Sequence, residues 1–332
     1  MKIKAVRTVA IFSVVAFLAV FALAAPALSG DQYPQKPIKL VVPYGPGGAT
    51  DLAARVLVSV IPEYLGQAVI VVNVKGAGGS VGFDNVRRAK PDGYTMMMNA
   101  IGACVLVPAK NTKLPFSYDE MTYIARTQIN PNVLIVNKGS AYKSFEDLAA
   151  ALKKNPGKLK YSTAGVANVT DLGPSIMLKE LGLPDSAASA VHYDSDNAAL
   201  LALLQGESDF VQGNLASFAS AIKGGQVVPL AMTTPERVKG FDNIPTYTEL
   251  GYPKISIVGW RGVSGPPGLP MEIAKIWEEA VAKTCQAQSW IKLVKKLGDE
   301  PGYMGMQAYN QFVKSDFERY RELFTNLGLL IK

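Results

Sequence analysis

Two glycine-rich segments carry the residues best placed to do chemistry. The first, Tyr44-Gly45-Pro46-Gly47-Gly48-Ala49-Thr50-Asp51, follows the apolar run Ile38–Pro43, and no Lys or Arg lies between Val41 and Asp51. An apolar run that ends in Pro and Gly and gives way to a helical pattern predicts strand, bare loop and helix start. Such a loop turns main-chain N–H groups and the positive end of a helix toward a small anion. The second, Ser162-Thr163-Ala164-Gly165-Val166-Ala167-Asn168-Val169-Thr170, holds the same place between a strand and a helix that Thr170 is expected to cap. Facing each other across a cleft, the two would grip a small carboxylate from both sides. Tight chain reversal is the plainer use of either loop taken alone.

Other chemistries fail on detail. A phosphate loop of the G-x-x-x-x-G-K-[ST] type is absent, and a dinucleotide fingerprint from Gly45 would need Gly where Thr50 stands. Gly78, Ser80 and Gly82 form G-x-S-x-G, with His192 as the sole histidine and so the sole base. A nucleophile elbow needs a strand that ends at its Ser. Here the strand ends before Lys75, so a secreted serine hydrolase using Ser80 is only the enzyme alternative. His192 reads as an ordinary strand-end histidine. One His and two cysteines, Cys104 and Cys285, make no metal site and no disulfide framework, and two buried free thiols are expected. No catalytic group and no cofactor is assigned. Asp194 and Asp196 are a close acidic pair that could do acid–base work, and the plainer role is capping of the next helix by Ser195 or Asp196, with Asp196 preferred. Trp260-Arg261 could line a cleft or pack a hinge.

The elements that must position these residues are legible in outline. Lys2, Lys4 and Arg7 precede an uncharged apolar stretch, Val9–Ala24, and Ala25-Pro26-Ala27 fits a cleavage site, with Ala22-Leu23-Ala24 competing. Residues 1–27 are therefore expected to be a signal peptide, and the protein exported. An uncleaved membrane anchor is the alternative. With the three leader bases removed from the 34 Lys and Arg, 31 remain against 27 acids. Adjacent bases occur only as isolated pairs, such as Arg87-Arg88, which is no nucleic-acid footprint.

The remaining 305 residues suffice for two domains. Strands are expected at Ile38–Pro43, Ala68–Val74, Tyr94–Asn99, Asn132–Val136, Lys160–Ser162, Ala190–Tyr193, Asp209–Gln212 and Val227–Met232. Helices are expected at Asp51–Val60, with Leu52, Val56 and Val60 on one face, at Phe145–Lys154 behind the Ser144 cap, and at Asn197–Gln205. Three more fill the tail, Met271–Thr284, Ser289–Leu297 and Gln307–Leu327. Met96-Met97-Met98 reads as a buried parallel strand, and Pro62 as a break in the first helix. The alternation implies α/β layers with mostly parallel sheets. Tyr123–Val136 and Ile255–Val263 are the expected crossings between domains.

On these residues the chain resembles the Bug receptors, the periplasmic solute receptors of tripartite tricarboxylate transporters. The resemblance runs through Tyr33-Pro34, Val41-Val42-Pro43, Pro46–Asp51, Leu65-Gly66-Gln67, Val72-Asn73, Gly76–Gly79, Pro91–Thr95, Leu114-Pro115-Phe116, Asn155–Leu159, Leu230-Ala231, Pro245-Thr246, Glu249-Leu250-Gly251 and Trp260-Arg261-Gly262. It implies a two-lobed periplasmic-binding-protein fold (type II, Venus-flytrap). Residues 28–128 and 260–332 would form one lobe and 129–259 the other. It implies a monomer that takes a small organic carboxylate between its lobes and delivers it to a membrane transporter of two integral subunits. A receptor that signals instead of feeding transport is the alternative of another class. Matched to the family's two loops, the ligand-binding residues are Tyr44, Gly47, Gly48, Ala49, Thr50 and Asp51 on one side. On the other they are Ser162, Thr163, Gly165, Asn168 and Thr170, joined by Tyr193, Asp196 and Asn214.

Three departures from the family pattern stand out. Asp171 occupies the family's His position, Asp194-Ser195-Asp196-Asn197 replaces a Lys-Gly turn, and Gln212-Gly213-Asn214 replaces an Asp-Asn. The cleft thereby gains acidity on one side. Charge repulsion near Asp196 then favours a ligand whose distal end carries a hydroxyl, amide or amine rather than a second carboxylate.

Overall fold

Ile38, Leu40 and Val42 are fully buried, and Met96, Met97 and Met98 are buried alike. Strands apolar on both faces belong in the middle of a covered parallel sheet, and a computed structural model of the chain places them there. It describes residues 33–332 apart from 165–168, 194, 256, 327 and 332. The expected leader, Gly165, Asn168 and Asp194 lie outside the described residues. Residues Lys36–Lys332 form one compact unit.

β1 (Ile38–Val42) pairs in parallel with β2 (Val69–Asn73) on one side and β3 (Thr95–Ala100) on the other. Three helices lie between them, α1 (Ala49–Val58), α2 (Pro62–Leu65) and α3 (Ser80–Arg87). Pro62 opens α2 at its first turn, so the expected break is there. The buried face of α1 differs from expectation. It is Ala53, Ala54 and Leu57, while Leu52 is exposed. The helix is rotated because Asp51 turns inward to hydrogen-bond the preceding loop.

After β3 the chain makes a π-helical turn, Gly102–Leu106, then α4 (Val107–Lys110) and β4 (Thr122–Asn130). The expected crossing Tyr123–Val136 is made of two strands. β4 stays in the first sheet, and β5 (Asn132–Asn137) belongs to a second. Pro131 separates them, since it has no N–H to continue a ladder.

The second sheet collects β5, β6 (Leu159–Thr163), β7 (Ala188–His192), β8 (Phe210–Asn214) and β9 (Val227–Met232) in the order β7-β6-β8-β5-β9. Its helices are α5 (Phe145–Lys154), α6 (Val169–Glu180), α7 (Asp196–Gln205) and α8 (Leu215–Lys223). Ser144 and Asp147 close the expected capping box on α5. The chain then returns as β10 (Gly259–Gly265) and finishes with α9 (Met271–Gln286), α10 (Gln288–Leu297), β11 (Glu300–Met304) and α11 (Met306–Asn326).

The first sheet has the order β11-β4-β10-β3-β1-β2. Both sheets are mixed rather than mostly parallel. β10 runs against β3 and β4, and β5 against β8 and β9, because strands that enter from the other sheet arrive from the opposite direction. β10 carries three glycines, at 259, 262 and 265, yet is buried throughout. A Cβ on Gly262 would stand 2.4 Å from the Ala125 carbonyl oxygen. Only glycine permits the neighbouring strand so close.

Candidate functional site

Gly48 is the N-cap of α1, with extended backbone and no side-chain cap. Among the described residues no capping oxygen is recorded for the first N–H groups of the helix, which is the local form of an anion site. Hydrogen bonds at the back of the loop hold it in shape. Asp51 Oδ2 accepts from Gly47 N at 2.8 Å and Arg55 Nε at 2.9 Å, and Oδ1 accepts from Arg55 Nη2 at 3.1 Å and Asn73 Nδ2 at 2.9 Å. The same Asn73 amide donates to the Tyr44 carbonyl at 3.0 Å. Burial pushes the Asp51 carboxyl up, but hydrogen bonds from Arg55, Gly47 and Asn73 outweigh it and hold the group below the usual range. Asp51 is 1% exposed. It organises the loop from behind and does not meet the cleft, contrary to its expected place.

The Tyr44 ring fits a slot that two glycines leave open. A Cβ on Gly102 would come within 2.5 Å of the Tyr44 hydroxyl, and one on Gly79 within 3.2 Å. The hydroxyl hydrogen-bonds the Ala103 backbone N–H inside the π-helical turn, and burial pushes its pKa well up. Loop and turn are thereby one unit.

On the opposite side, Ser162 and Thr163 end β6 fully buried. Ser162 Oγ donates to the Ala199 carbonyl at 2.9 Å and lies 3.0 Å from Ser208 Oγ. Thr163 Oγ1 lies 3.0 Å from Thr170 Oγ1, which also accepts from Ala164 N at 3.2 Å. Thr170 is inside α6 rather than its cap, and ties the two ends of the loop together. Ser162 and Thr163 are therefore structural supports of the loop, not part of the cleft wall. Tyr193 turns away as well, its hydroxyl donating to Glu207 Oε2 at 2.7 Å.

The acidic turn divides its labour. Ser195, not Asp196, caps α7 by accepting from Ala198 N at 3.2 Å. That leaves Asp196 to reach the end of β8, where Oδ1 takes a long 3.4 Å bond from Asn214 N. Gly213 makes room, since a Cβ there would stand 2.6 Å from Asp196 Oδ1. Asn214 in turn caps α8 through Ala216 N at 2.9 Å.

Two adjoining cavities of about 500 and about 680 Å³ meet at Gly48-Ala49, Thr170, Asp196 and Asn214. The smaller runs to Asn130, Asn132 and Gly259, the residues around the sheet-to-sheet crossings, and to Thr50, Ile101, Leu106, Val107 and Val169. The larger opens past Gly45–Gly47 and Leu52 to Ser217 and Leu297. Trp260 and Arg261 border the smaller cavity and are themselves buried, so lining and packing go together in them. The indole donates to Asp316 Oδ2 at 2.8 Å, and the Arg261 guanidinium pairs with buried Asp299 and reaches Thr50 Oγ1 at 3.4 Å. Burial pushes the Asp196 carboxyl up to about 6, against the pull of the Asn214 N–H and the Arg261 charge facing it.

Sequence reasoning leaves out the wall formed by Ile101, Leu106 and Val107. An apolar run after a buried strand carries no sign that a π turn will swing it into a cleft. The elbow reading finds no partners. Ser80 Oγ donates to the Ala77 carbonyl at 2.9 Å, and His192 Nε2, at the end of an edge strand of the other sheet, engages Asp171 Oδ1 at 3.0 Å. Cys104 and Cys285 are buried and unpaired, as expected, and burial raises both thiols to about 12.

The chain is similar to known proteins along most of its length. The family described as tripartite tricarboxylate transporter family receptor matches residues 53–329. A UPF0065 protein of Bordetella pertussis is 32% identical over 320 residues, covering 96% of this chain and 98% of that protein. Protein BugT of the same organism is 27% identical over 318 residues, covering 95% of this chain and 96% of its own. Among solved structures, an R. palustris protein with adipate superposes with a TM-score of 0.76 at 25% identity, over 89% of this chain and 98% of that one.

Proposed function

The chain belongs to the tripartite tricarboxylate transporter receptor family, and from that premise we propose that it is a periplasmic receptor that captures a small organic carboxylate between its two sheets. The observation that carries the reading is the uncapped start of α1. Gly48, Ala49 and Thr50 offer backbone N–H groups to a cavity that Thr170 and Asn214 close from the other side. Adipate in a structural relative supports a carboxylate as cargo.

In this reading Tyr44, Gly47, Gly48, Ala49, Thr50, Thr170, Asp196 and Asn214 bound the ligand, and Arg261 and Trp260 join them. Asp51, Ser162 and Thr163 hold the loops. One lobe is built on the first sheet and the other on the second, and the chain passes outward at Pro131 and returns ahead of β10. Closure about these crossings desolvates the ligand and strengthens each hydrogen bond to its carboxylate. The closed monomer then docks on a membrane transporter of two integral subunits, after export with loss of a leader ending near Ala27 or Ala24. No bond is made or broken in this cycle.

Native mass spectrometry of the freshly purified protein tests the proposal. A co-purified acid of defined mass is expected. Added at about 100 times its dissociation constant, that acid should stabilise the fold by roughly 2.7 kcal/mol in thermal unfolding. A protein that carries no acid and responds to no mono-, di- or tricarboxylate sinks the reading.

A further inference from the structure

We propose that the ligand is an apolar α-amino or α-hydroxy acid: one carboxylate, a hydrogen-bond donor beside it, and an apolar side chain. The inference rests on the carboxylate-receptor reading and narrows its substrate class.

The charges of the cavity come first. Among the described residues lining the smaller cavity, Arg261 is the one cation and Asp196 the one acid. Arg261 is already engaged by Asp299 behind it and by Thr50. Two acids thus stand around one cation. A ligand carboxylate at the start of α1 is served by backbone N–H groups, but a second carboxylate would find no free cation among these residues. Burying an ion without a partner is strongly unfavourable. A dicarboxylate or tricarboxylate therefore does not suit this cleft.

The apolar wall comes second. The π-helical turn and the residues beside it turn Ile101, Leu106 and Val107 to the cavity, and Val169 joins them from the other sheet. The Tyr44 hydroxyl, close to Gly102 of this turn, is already bonded to the Ala103 backbone. The side chains of Ile101, Leu106, Val107 and Val169 themselves offer apolar surface and no donor for a charged end group. This wall suits a branched aliphatic or phenyl group, and a cavity of about 500 Å³ has room for one.

The donor comes third. Asp196, held by Asn214 on the side of the second sheet, lines both cavities together with Gly48 and Ala49, the place assigned to the carboxylate. Among the described residues its one hydrogen-bond donor is the distant Asn214 N–H. An ammonium or hydroxyl on the carbon next to the ligand carboxylate meets that carboxyl group, and an ammonium also offsets the excess acid. This differs from the expectation drawn from the sequence, which put the donor at the ligand's far end.

Calorimetric titration of the intact receptor, stripped of endogenous ligand by unfolding and refolding, tests the proposal with phenylalanine, phenyllactate, phenylpropionate, leucine and adipate. At least one donor-bearing apolar acid should bind about tenfold or more tighter than phenylpropionate or adipate, a change expected for one charge-assisted hydrogen bond. Asp196→Asn should abolish the preference, bringing the amino acids and phenylpropionate to within about twofold of each other. Val107→Lys should improve adipate and weaken leucine. Adipate bound as tightly as the best apolar acid overturns the inference and leaves the carboxylate receptor standing. Loss of the donor without loss of affinity overturns it too. Binding of no acid at all overturns both.

Discussion

Gly298, the turn after α10, meets Ala216, the second residue of α8, so closely that a Cβ on Gly298 would lie 1.4 Å from the Ala216 Cβ. The first belongs with the first sheet and the second with the other, so this contact closes the wider end of the cleft beside Leu297 and Ser217. Gly298 also has φ +82, the left-handed conformation natural to a helix C-cap.

Gly298→Ala should therefore hold the sheets apart. Ligand affinity should fall by about tenfold or more, the factor that corresponds to roughly 1.4 kcal/mol, and solution scattering should show a larger radius with ligand present. Gly206→Ala is the control, with φ +79 but nothing within 4 Å of the added carbon. It should cost roughly 1 kcal/mol of stability from backbone strain and leave affinity unchanged.

Asp51→Asn should loosen the first loop without touching the ligand. Losing the ion pair to Arg55 and weakening the bonds from Gly47 and Asn73 should cost on the order of 1–3 kcal/mol in denaturant titration. The native carboxyl is held below its unfolded value, so its contribution is present above the unfolded pKa and is lost as pH falls through the folded one. The stability gap between wild type and variant should close in acid.

Asp196 has the opposite sign. Its folded value, about 6, lies above the ordinary Asp value of 3.8, so the native state binds the extra proton between the two. That contribution is present at low pH and is lost as pH rises through about 6. Arg261, and Asp299 behind it, are the charges that face the group. In the ligand-free receptor Asp196→Asn should be more stable than wild type at about pH 7, by on the order of 2 kcal/mol after solvent screening, with the difference vanishing near pH 4. A variant equally stable at both pH values would contradict the burial argument.

Gly102→Ala should displace the Tyr44 ring, whose hydroxyl lies 2.5 Å from the added carbon. The loop before α1 and the π-helical turn would shift together. Affinity should drop by about tenfold with only a modest change in melting temperature. An unchanged affinity would show that the slot does not set the cavity wall.

Local patterns account for much of what the sequence foretells. The capping box at Ser144 and Asp147, the break at Pro62 and the buried run Met96–Met98 depend on residues within a few positions, and each is found. Elements that depend on partners escape a local reading. β10 has glycines where a strand usually has side chains, because β4 and Asn130 crowd it. β11 pairs only with the edge of β4, and its Pro and Gly hide it. The face of α1 departs from its periodicity because Asp51 and Asn73, 22 positions apart, rotate it.

The site divides along the same line. The strand-loop-helix order, the glycines that free the start of α1, and the ordered series of family motifs are properties of neighbouring residues, and the chain alone carries them to a carboxylate receptor. Which loop residues face the cavity, which merely brace it, and what stands opposite them are decided by packing. Asp51 turns inward because Asn73 waits there, Asp196 turns to the cavity because Ser195 already caps α7, and Ile101, Leu106 and Val107 line the cavity because a π turn carries them. Each of those outcomes hangs on a hydrogen bond or a close approach between distant residues, and no local periodicity encodes it.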